Sequence, residues 1–520
     1  MDKNAVLAIA LSIGVLVLYQ YFLAPRPPAP APVGKAAVMN AGQAAPGVAP
    51  PQASAQKAPS PAPSAPSPVR TIRVETDQYV ADFTSAGGVP DYWMLKKYKG
   101  ETKETGNRNV TLLKPGPEPV LPALAMGSSD FEDAHLHFKV IGGDLRLDKA
   151  HPEGKLVFEY SQGPVFIRRT YTFHDGVYWV NIKDEVRGLP YYNLTLGPDF
   201  GIYNRHPKGA HAGPVLLSGV KRIEIKPKKL EGGATLSYSQ DIKWIAQEDK
   251  YFCSALIPVS GIEAARASMQ NGQPVLSFTV KNPSVEQFVL YAGPKDPRML
   301  APLGSGLQYI VDFGFFSILA RPILWLLNFI NSFVGNYGWS IIILTIVLRI
   351  PFLPIVAKGQ KSMKKLQAIQ PHMQEIRQKY KKDPQRMQKE MMELYKKHKV
   401  NPMGGCLPML VQIPVFFALY EVLLRAIALR GAPFVLWIMD LSTKDPYYVL
   451  PILMGISMFV QQKMTPTAPG NPAQQKLMMF MPVIFTVMFV NFASGLVLYW
   501  MVNNLLSIAQ QAYINRQATV

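Results

Sequence analysis

The chain has 520 residues and a formal net charge of +19, and 48% of its residues are hydrophobic while 17% are charged. This length accommodates a soluble domain and several membrane spans in one chain. The two cysteines, Cys253 and Cys406, fall in regions predicted on opposite sides of a membrane, which argues against an intramolecular disulfide and leaves no cysteine cluster for a metal.

The chain begins with a predicted transmembrane anchor, residues 1–23. Its apolar run from Ala5 to Leu23 approaches the ~30 Å hydrocarbon core at about 1.5 Å per residue. Pro25 makes a signal-peptidase site awkward, so an uncleaved anchor is predicted and cleavage is the alternative. Residues 24–68 contain 13 of the 46 prolines and no acidic residue, which predicts an extended, disordered tether.

Residues 69–300 are predicted to form an all-β sandwich. Short segments of alternating apolar and polar residues follow one another closely, as at 155–160, 165–173 and 177–182. The sequence His-Asp-Gly at 174–176 predicts a hairpin turn between two of them. Many such strands with little helix are typical of a β-sandwich.

Residues 301–337 are predicted to form an amphipathic helix that lies in the membrane interface. The segment is rich in aromatic side chains, which suit an apolar environment. Its polar residues Asp312, Arg321, Asn328 and Asn331 make it too polar for a span.

Five further apolar segments are predicted membrane spans. With the anchor they give a bundle of six transmembrane helices, so the predicted fold is an α-helical membrane protein with an all-β sandwich outside the membrane. The last three segments have about 16 residues, or ~24 Å of helix, so either the bilayer thins or the helices extend into polar flanks such as Gln461 and Gln462. The five segments are 338–357, 408–428, 447–462, 477–492 and 495–510. The domains in this region are the second span at 338–357, a basic segment at 358–405, spans three to six within 406–513, and a short tail at 514–520.

The basic segment, residues 358–405, determines the predicted topology. It carries 13 Lys and Arg residues against four acids, so it belongs in the cytoplasm, with both chain termini, while the sandwich lies on the other side. Apolar residues recur at helical spacing; Pro371 should kink the first helix, and Asp383 and Pro384 should begin the second. Two antiparallel amphipathic helices are predicted. Their charge suits anionic lipids or ribosomal RNA, and the alternative is a topology signal without a partner.

Arg349 is the most informative residue, because residues 341–356 around it are apolar apart from Thr345 and the arginine itself. A charge at the centre of a spanning helix costs roughly 2.5–3.5 kcal/mol, so the side chain should face protein or water rather than lipid. Glu421 is the only acid in the five spans and is predicted to pair with Arg425, four residues along one helix. Arg349 should then lack a fixed counter-ion and be solvated by water; the alternative is a structural residue bonded to backbone carbonyls.

Four motifs resemble a known family. NPMGGCLPMLVQIPVFFALY at 401–420, GNYGWS at 335–340, APFVLWI at 432–438 and GLVLY at 495–499 resemble segments of the YidC family of bacterial membrane protein insertases. Together with the anchor, tether and external sandwich, the resemblance covers nearly the whole chain. It implies a bacterial inner-membrane protein with a periplasmic domain and five core spans around a water-filled groove, open to cytoplasm and lipid but closed outside.

The resemblance also implies functional residues. The expected groove residues are Arg349, Thr345, Gln412, Tyr499, Trp500 and Asn503. The surface along which a client slides into lipid is expected at Ile413, Phe416 and Met488. Two departures stand out: Trp500 replaces a second tyrosine of many members, and the short tail carries one arginine where many members have a basic tail. The neighbouring Asn504, like Asn503, is expected either to line the groove or to tie helices together.

The implied function is that of an insertase or chaperone. It takes hydrophobic segments of nascent proteins from the cytoplasm through the groove into the inner membrane, alone or with the Sec translocon. The expected partners are nascent membrane proteins, the ribosome, the Sec translocon and anionic lipids, and no DNA is expected. No enzymatic activity, cofactor or metal is expected, and no P-loop pattern is present.

Three other interpretations remain from the residues alone. An anion transporter or channel would use Arg349 to bind its solute, although the basic segment, the short spans and the absence of repeated halves argue against it. A tethered carbohydrate enzyme would place a sugar site in the sandwich, where paired carboxylates are not evident. His135 and His137 share one strand face, but without a third ligand nearby they are predicted to be surface residues rather than metal ligands.

Overall fold

The computed structural model describes the chain in ten stretches: residues 68–100, 108–115, 122–128, 136–207, 209–260, 262, 264–398, 400, 407–464 and 472–517. All of them belong to one compact unit, Pro66–Val520. The predicted anchor at 1–23, the predicted tether except residue 68, His135, Cys406 and the first six residues of the 401–420 motif lie outside the described residues.

Nineteen β-strands are described between Thr71 and Pro294. In chain order they are β1 Thr71–Glu75, β2 Tyr79–Thr84, β3 Val89–Lys99, β4 Asn109–Leu113, β5 Met126–Gly127, β6 Lys139–Ile141, β7 Leu145–Arg146, β8 Glu153–Gln162, β9 Val165–His174, β10 Trp179–Arg187, β11 Tyr191–Thr195, β12 Gly213–Ser218, β13 Lys221–Glu224, β14 Leu236–Tyr238, β15 Ile242–Glu248, β16 Phe252–Pro258, β17 Ala264–Gln270, β18 Gln273–Lys281 and β19 Val285–Pro294. The predicted all-β sandwich domain is confirmed.

The strands form three sheets of largely antiparallel neighbours. The orders are β4-β3-β2-β1-β7, then β13-β12-β15-β16-β19-β10-β9-β8-β6, and β14-β17-β18-β11-β5. In β9, buried positions alternate with more exposed ones, which is the two-residue period of a strand with one face on a core. The predicted hairpin is confirmed, because β9 ends at His174 and pairs antiparallel with β10. Gly176, in the turn between them, has a φ of 76° that favours glycine.

The interior of the sandwich combines aromatic packing with one buried ion pair. Tyr79 stacks on Trp93 with ring centroids 4.4 Å apart. Arg169 of β9 and Asp184 of β10 are fully buried and form two hydrogen bonds, Nε to Oδ1 at 2.7 Å and Nη2 to Oδ2 at 3.0 Å. Arg169 Nη1 also donates to the Leu124 carbonyl at 2.7 Å. The hydrogen bonds of this pair therefore join β9, β10 and the segment that contains Leu124.

Nine helices of ten or more residues are described after the sandwich. They are α1 Ser317–Val334, α2 Tyr337–Arg349, α3 Leu353–Ala368, α4 Gln370–Lys379, α5 Pro384–Lys397, α6 Leu407–Arg425, α7 Val449–Met464, α8 Pro472–Phe489 and α9 Ser494–Gln517. The helical runs extend beyond several predicted apolar segments: α7 includes Gln461 and Gln462, and α9 has 24 residues. At 1.5 Å per residue α9 is about 36 Å long, so these helices extend into their polar flanks.

Helix α1 packs one face on α2 and α6 and exposes the other. Its buried residues include Leu324 and Leu327, while Trp325 and Phe333 are largely exposed. Among the described residues, the helical run Gly314–Val334 is the one that is long and apolar enough to cross a membrane. The predicted position in the membrane interface stays a prediction, because length and composition do not distinguish a helix that crosses the membrane from one that lies along its surface.

The basic segment, predicted at 358–405, includes α4, α5 and most of α3. Because α3 already begins at Leu353, the second span predicted at 338–357 is not one continuous α-helix: α2 ends at Arg349 and a 3₁₀ turn, Ile350–Phe352, separates it from α3.

As Pro371 predicts, the chain breaks at Ile369, between α3 and α4, and Pro371 lies in the first turn of α4. Asp383 caps α5, as predicted, by accepting a hydrogen bond from the Arg386 backbone N–H at 3.1 Å. The helices share a small hydrophobic core, separate from the main one, formed by Leu366, Ile369, Met373, Leu394 and Val400.

Candidate functional site

Arg349 lies in the last turn of α2, and its side chain reaches across to α9. Nη1 donates to the carbonyl oxygen of Asn503 at 2.8 Å and to its side-chain Oδ1 at 3.0 Å. Nη2 donates to Ser507 Oγ at 2.9 Å and to Gln510 Oε1 at 3.2 Å. The three acceptor residues are spaced i, i+4 and i+7, so they form one face of α9. This face of α9 therefore fixes the position of the guanidinium.

All of these acceptors are neutral oxygens. A guanidinium has five N–H donors, and four of those of Arg349 are used by α9. The fifth, on Nε, is buried and has no hydrogen-bond partner within the described ranges. No carboxylate in the described part of the chain forms an ion pair with Arg349. The carbonyl bond to Asn503 is the one that the structural alternative predicted, but the positive charge is oriented rather than neutralised.

A small cleft adjoins this guanidinium. It is lined by residues of α2, α6 and α9, namely Thr345, Leu348, Arg349, Gln412, Val415, Tyr499 and Asn503. The room between them is close to that of a single water molecule. The structure therefore brings together five of the six predicted groove residues around a narrow polar space.

Two polar side chains of the cleft are themselves tied to the helices. Gln412 Nε2 donates to the Tyr499 hydroxyl at 3.1 Å and so joins α6 to α9. The Thr345 hydroxyl donates back to the Ile341 carbonyl of its own helix at 2.6 Å. Thr345 therefore contributes a hydroxyl oxygen whose hydrogen is already used.

The one acidic residue within the five predicted spans after the sandwich, Glu421, forms its ion pair with Arg425 rather than with Arg349. Glu421 Oε2 lies 2.6 Å from Arg425 Nε on the same helix, so the predicted local pair is confirmed. The spacing of four residues places both side chains on one face of α6. This leaves Arg349 without that carboxylate.

Trp500 is the predicted groove residue that does not line the cleft. It packs in an aromatic cluster, with ring centroids 4.8 Å from Phe416, 5.1 Å from Phe489 and 5.9 Å from Phe485. One residue along a helix is a rotation of about 100°, which carries Trp500 away from the side of Tyr499. The substitution of tryptophan for a second tyrosine therefore affects helix packing rather than the polar cleft.

The three residues predicted to contact a sliding client differ in exposure. Ile413 and Met488 are 39% and 48% exposed and are available to a neighbouring apolar surface. Phe416 is half-buried in the aromatic cluster with Trp500. Its ring therefore supports the packing of α6 against α9 and presents only part of its area outside.

Sequence reasoning missed Ser507 and Gln510, although both were accessible from helical spacing. Once Asn503 faces Arg349, residues four and seven positions later lie on the same face. Asn503 and Asn504 were each expected either to line the groove or to tie helices together, and the structure places the two side chains differently. Asn503 binds Arg349, whereas Asn504 is buried and donates to Ser457 Oγ at 3.0 Å, which ties α9 to α7.

Two family models match most of the chain, and relatives match it over nearly its whole length. The family model of the YidC periplasmic domain matches residues 71–326, and that of the 60Kd inner membrane protein matches residues 329–519. The chain is similar to the membrane protein insertase YidC of Geotalea daltonii, with 40% identity over 99% of both chains. The YidC of Syntrophus aciditrophicus is 39% identical over 100% of both. A crystal structure of an active YidC insertase with its first transmembrane domain resolved covers 85% of this chain and 93% of that one, at 17% identity and a TM-score of 0.39.

Proposed function

This chain belongs to the YidC family of membrane protein insertases, and we propose that Arg349 is the group that draws polar parts of a client into its helical region. The family resemblance of the four motifs is confirmed by relatives about 40% identical over the full length. The chain is an inner-membrane protein with a periplasmic β-sandwich and a helical membrane region. Its substrates are membrane proteins, as the name of its relatives states.

The observation that carries the proposal is the unneutralised charge of Arg349. Neutral oxygens of Asn503, Ser507 and Gln510 hold the guanidinium, and no ion pair to it occurs in the described residues. A cation held this way keeps its field, and in surroundings less polar than water that field acts strongly on an approaching carboxylate or peptide dipole. The buried Nε donor, which has no partner in the described structure, is a further group that a client oxygen or a water would satisfy.

The step into lipid needs no nucleotide. An apolar client segment gains roughly 0.8 kcal/mol for each CH₂ group that leaves water, which over a span far exceeds the cost of leaving the polar cleft. Ile413 and Met488 are exposed beside the helices that line the cleft, and they provide an apolar surface for that sideways movement. The cleft therefore offers Arg349 to a single polar group of the client, such as an oxygen that takes the place of a water, while the apolar part of the client moves into the bilayer.

The arrangement in the membrane is part of this proposal. The six spans are the anchor, residues 338–357 (α2 and the start of α3), α6, α7, α8 and α9, with α1 in the outer interface and both termini in the cytoplasm. The rest of α3 and the helices α4 and α5 then lie in the cytoplasm, where their Lys and Arg residues attract anionic lipid headgroups and ribosomal RNA. The protein receives clients from the ribosome and works alone or beside the Sec translocon.

Depletion and rescue in cells test this proposal. Loss of the protein should leave small membrane proteins with one or two spans uninserted, and Arg349→Ala should fail to rescue at least some of them. Arg425→Ala is a matched control, because it removes an arginine of the same helical region that already has a local carboxylate. Normal insertion together with lost solute uptake would contradict the proposal and favour an anion transporter.

A further inference from the structure

Three aromatic rings of the sandwich surround the guanidinium of Arg430, a residue of the loop between α6 and α7. We call Tyr203, Tyr251 and Phe252 the aromatic box. Arg430 Cζ lies 5.8 Å from the centroid of the Tyr203 ring, 5.9 Å from that of Tyr251 and 5.1 Å from that of Phe252. All three distances fall within the ~6 Å over which an aromatic face attracts a cation. Because the rings belong to the sandwich and the arginine to the helical region, the contact joins two distant parts of the chain.

One buried carboxylate holds the backbone of the aromatic box. Asp249 is 2% exposed and lies in the turn between β15 and β16. Its Oδ1 accepts hydrogen bonds from the backbone N–H groups of Tyr251 and Phe252, both at 2.8 Å. Its Oδ2 accepts from those of Tyr203 at 2.9 Å and Asn204 at 2.8 Å. A single side chain therefore fixes all three residues of the box, although they come from two separate segments of the sandwich.

The rings of the aromatic box also pack on one another and on β3. Phe252 is fully buried, and its ring meets Tyr203 edge to face with centroids 6.1 Å apart. Tyr98, near the end of β3, meets Phe252 in the same way at 5.4 Å. Rings that are already fixed lose little conformational freedom when a cation binds, which favours binding. The box is therefore preorganised for its occupant.

The guanidinium of Arg430 is suited to this box. Its Nη2 donates to the Lys99 carbonyl at the end of β3, at 2.5 Å, while its plane lies among the rings. A guanidinium can stack on aromatic faces and still donate hydrogen bonds, and it is more weakly hydrated than an ammonium group. The box and the carbonyl together therefore favour arginine over lysine.

A second contact between the sandwich and the helical region lies close to Tyr203 along the chain. A Cβ on Gly209 would be 3.3 Å from Leu424 Cδ2, in the last turn of α6. The segment that carries Tyr203 thus touches the end of α6 as well as the loop that follows it. The interaction of Arg430 with the sandwich is therefore part of a wider surface.

We propose that the aromatic box binds Arg430 to dock the sandwich on the end of α6, which fixes the orientation of the sandwich relative to the helical region. Without this interaction the sandwich would depend on the covalent connection through residues 295–316 and on weaker contacts. The inference goes beyond the proposed function and is independent of the role of Arg349, since docking needs no client.

The distance between two spin labels measures docking directly. One label is attached at Val220→Cys, in the turn between β12 and β13, where the side chain is 97% exposed. The other is attached at Ile452→Cys on α7, which is 52% exposed and lies outside the loop that carries Arg430. The full-length chain is used with Cys406→Ala, whereas Cys253 is fully buried and stays in place. Double electron–electron resonance in lipid then gives the distribution of distances, which should be single and narrow.

Arg430→Ala should undock the sandwich. The population with altered distances should rise about tenfold, equivalent to about 1.4 kcal/mol, and Arg430→Lys should give a smaller rise because lysine keeps the charge without the flat guanidinium. Lys444→Ala is the matched control. Lys444 belongs to the same loop, but its Nζ lies 5.7 Å from the ring of Tyr448, which is in that loop and not in the sandwich. A single narrow distribution in folded Arg430→Ala protein would overturn the proposal.

Tyr203→Leu tests the same contact from the sandwich. Leucine keeps the backbone N–H that Asp249 binds and stays apolar, but it removes one aromatic face from the box. The altered population should rise here too, while the thermal unfolding midpoint of the sandwich stays near that of the parent. The double variant with Arg430→Ala should add little to Arg430→Ala alone, because both changes remove one interaction. Fully additive effects, or an unchanged distribution in Tyr203→Leu, would contradict docking through the box, and this variant decides the matter if Arg430→Ala does not fold.

Discussion

The sandwich and the helical region each bury an arginine, and they treat its charge in opposite ways. Arg169 is 2% exposed and pairs with Asp184, which is 0% exposed, through two short hydrogen bonds. Arg349 is half-buried and is held by neutral oxygens of α9. In the sandwich the net charge of the site is zero; in the helical region it stays positive.

One arginine is balanced by a carboxylate and the other is held by neutral oxygens, and the proposed function assigns a role in insertion to the second. A buried pair is expensive to break but contributes little beyond a well-packed apolar replacement. An unpaired cation within a membrane costs free energy, and such residues are typical of functional sites. Variants at the two sites should therefore differ in whether folding or insertion is lost.

Breaking the pair in the sandwich should give the largest effect on stability. Asp184→Ala leaves the Arg169 guanidinium buried and unbalanced, and the expected cost is about 3–5 kcal/mol. Thermal unfolding of the full-length protein in detergent, followed by tryptophan fluorescence, should show an earlier transition of the sandwich. The double variant Arg169→Met/Asp184→Leu should unfold near the parent, because it removes both charges together. If the single and the double variant lost the same amount of stability, packing rather than charge balance would determine stability at this site.

Arg349→Ala should show the reverse pattern. Insertion of a client with an acidic translocated segment should fall about tenfold, equivalent to about 1.4 kcal/mol, while the unfolding transition of the sandwich stays unchanged. Arg349→Lys should retain part of the activity, because lysine keeps the charge but lacks the planar fork that binds Asn503 and Ser507. If Arg349→Lys were as inactive as Arg349→Ala, geometry rather than charge would be the essential property.

Removing one neutral acceptor should have a smaller effect. Ser507→Ala deletes one of the four hydrogen bonds that α9 accepts from the guanidinium. Because Asn503 and Gln510 remain, we expect a loss of insertion of a few-fold. Asn504→Ala is a useful neighbour control: it should lower the unfolding temperature of the helices through the lost bond to Ser457 without a specific effect on acidic clients.

Glu421→Gln should have the smallest effect. The pair with Arg425 is partly exposed and local to one helix, and such pairs contribute about 0.3–0.5 kcal/mol. In a side-by-side assay the rate of client insertion should stay within about a factor of two of the parent, and the thermal unfolding midpoint should be the same. A strong loss of insertion would mean that Glu421 acts on the cleft, against the separation seen here.

The sequence was sufficient for the local features and insufficient for those that join distant segments. The turn at Gly176, the break near Pro371, the Asp383 cap and the Glu421–Arg425 pair follow from spacing within one element. The bonds from Arg349 to α9 join residues more than 150 positions apart, and no period within either helix identifies the partner helix. Trp500 was misplaced beside the polar cleft for the same reason: its neighbour Tyr499 faces Gln412, but only the packing of α6 and α8 shows what the next residue meets.

A double-mutant cycle between this protein and its client tests the central claim most directly. Insertion into proteoliposomes is measured for the parent and for Arg349→Gln. Each is tested with a client that carries an aspartate in its translocated segment and with the same client in which that aspartate is replaced by asparagine. The account predicts a coupling of about 0.5–3 kcal/mol between the two changes, the range of directly interacting residues. Additive effects, or the same coupling with Arg425→Gln, would contradict it.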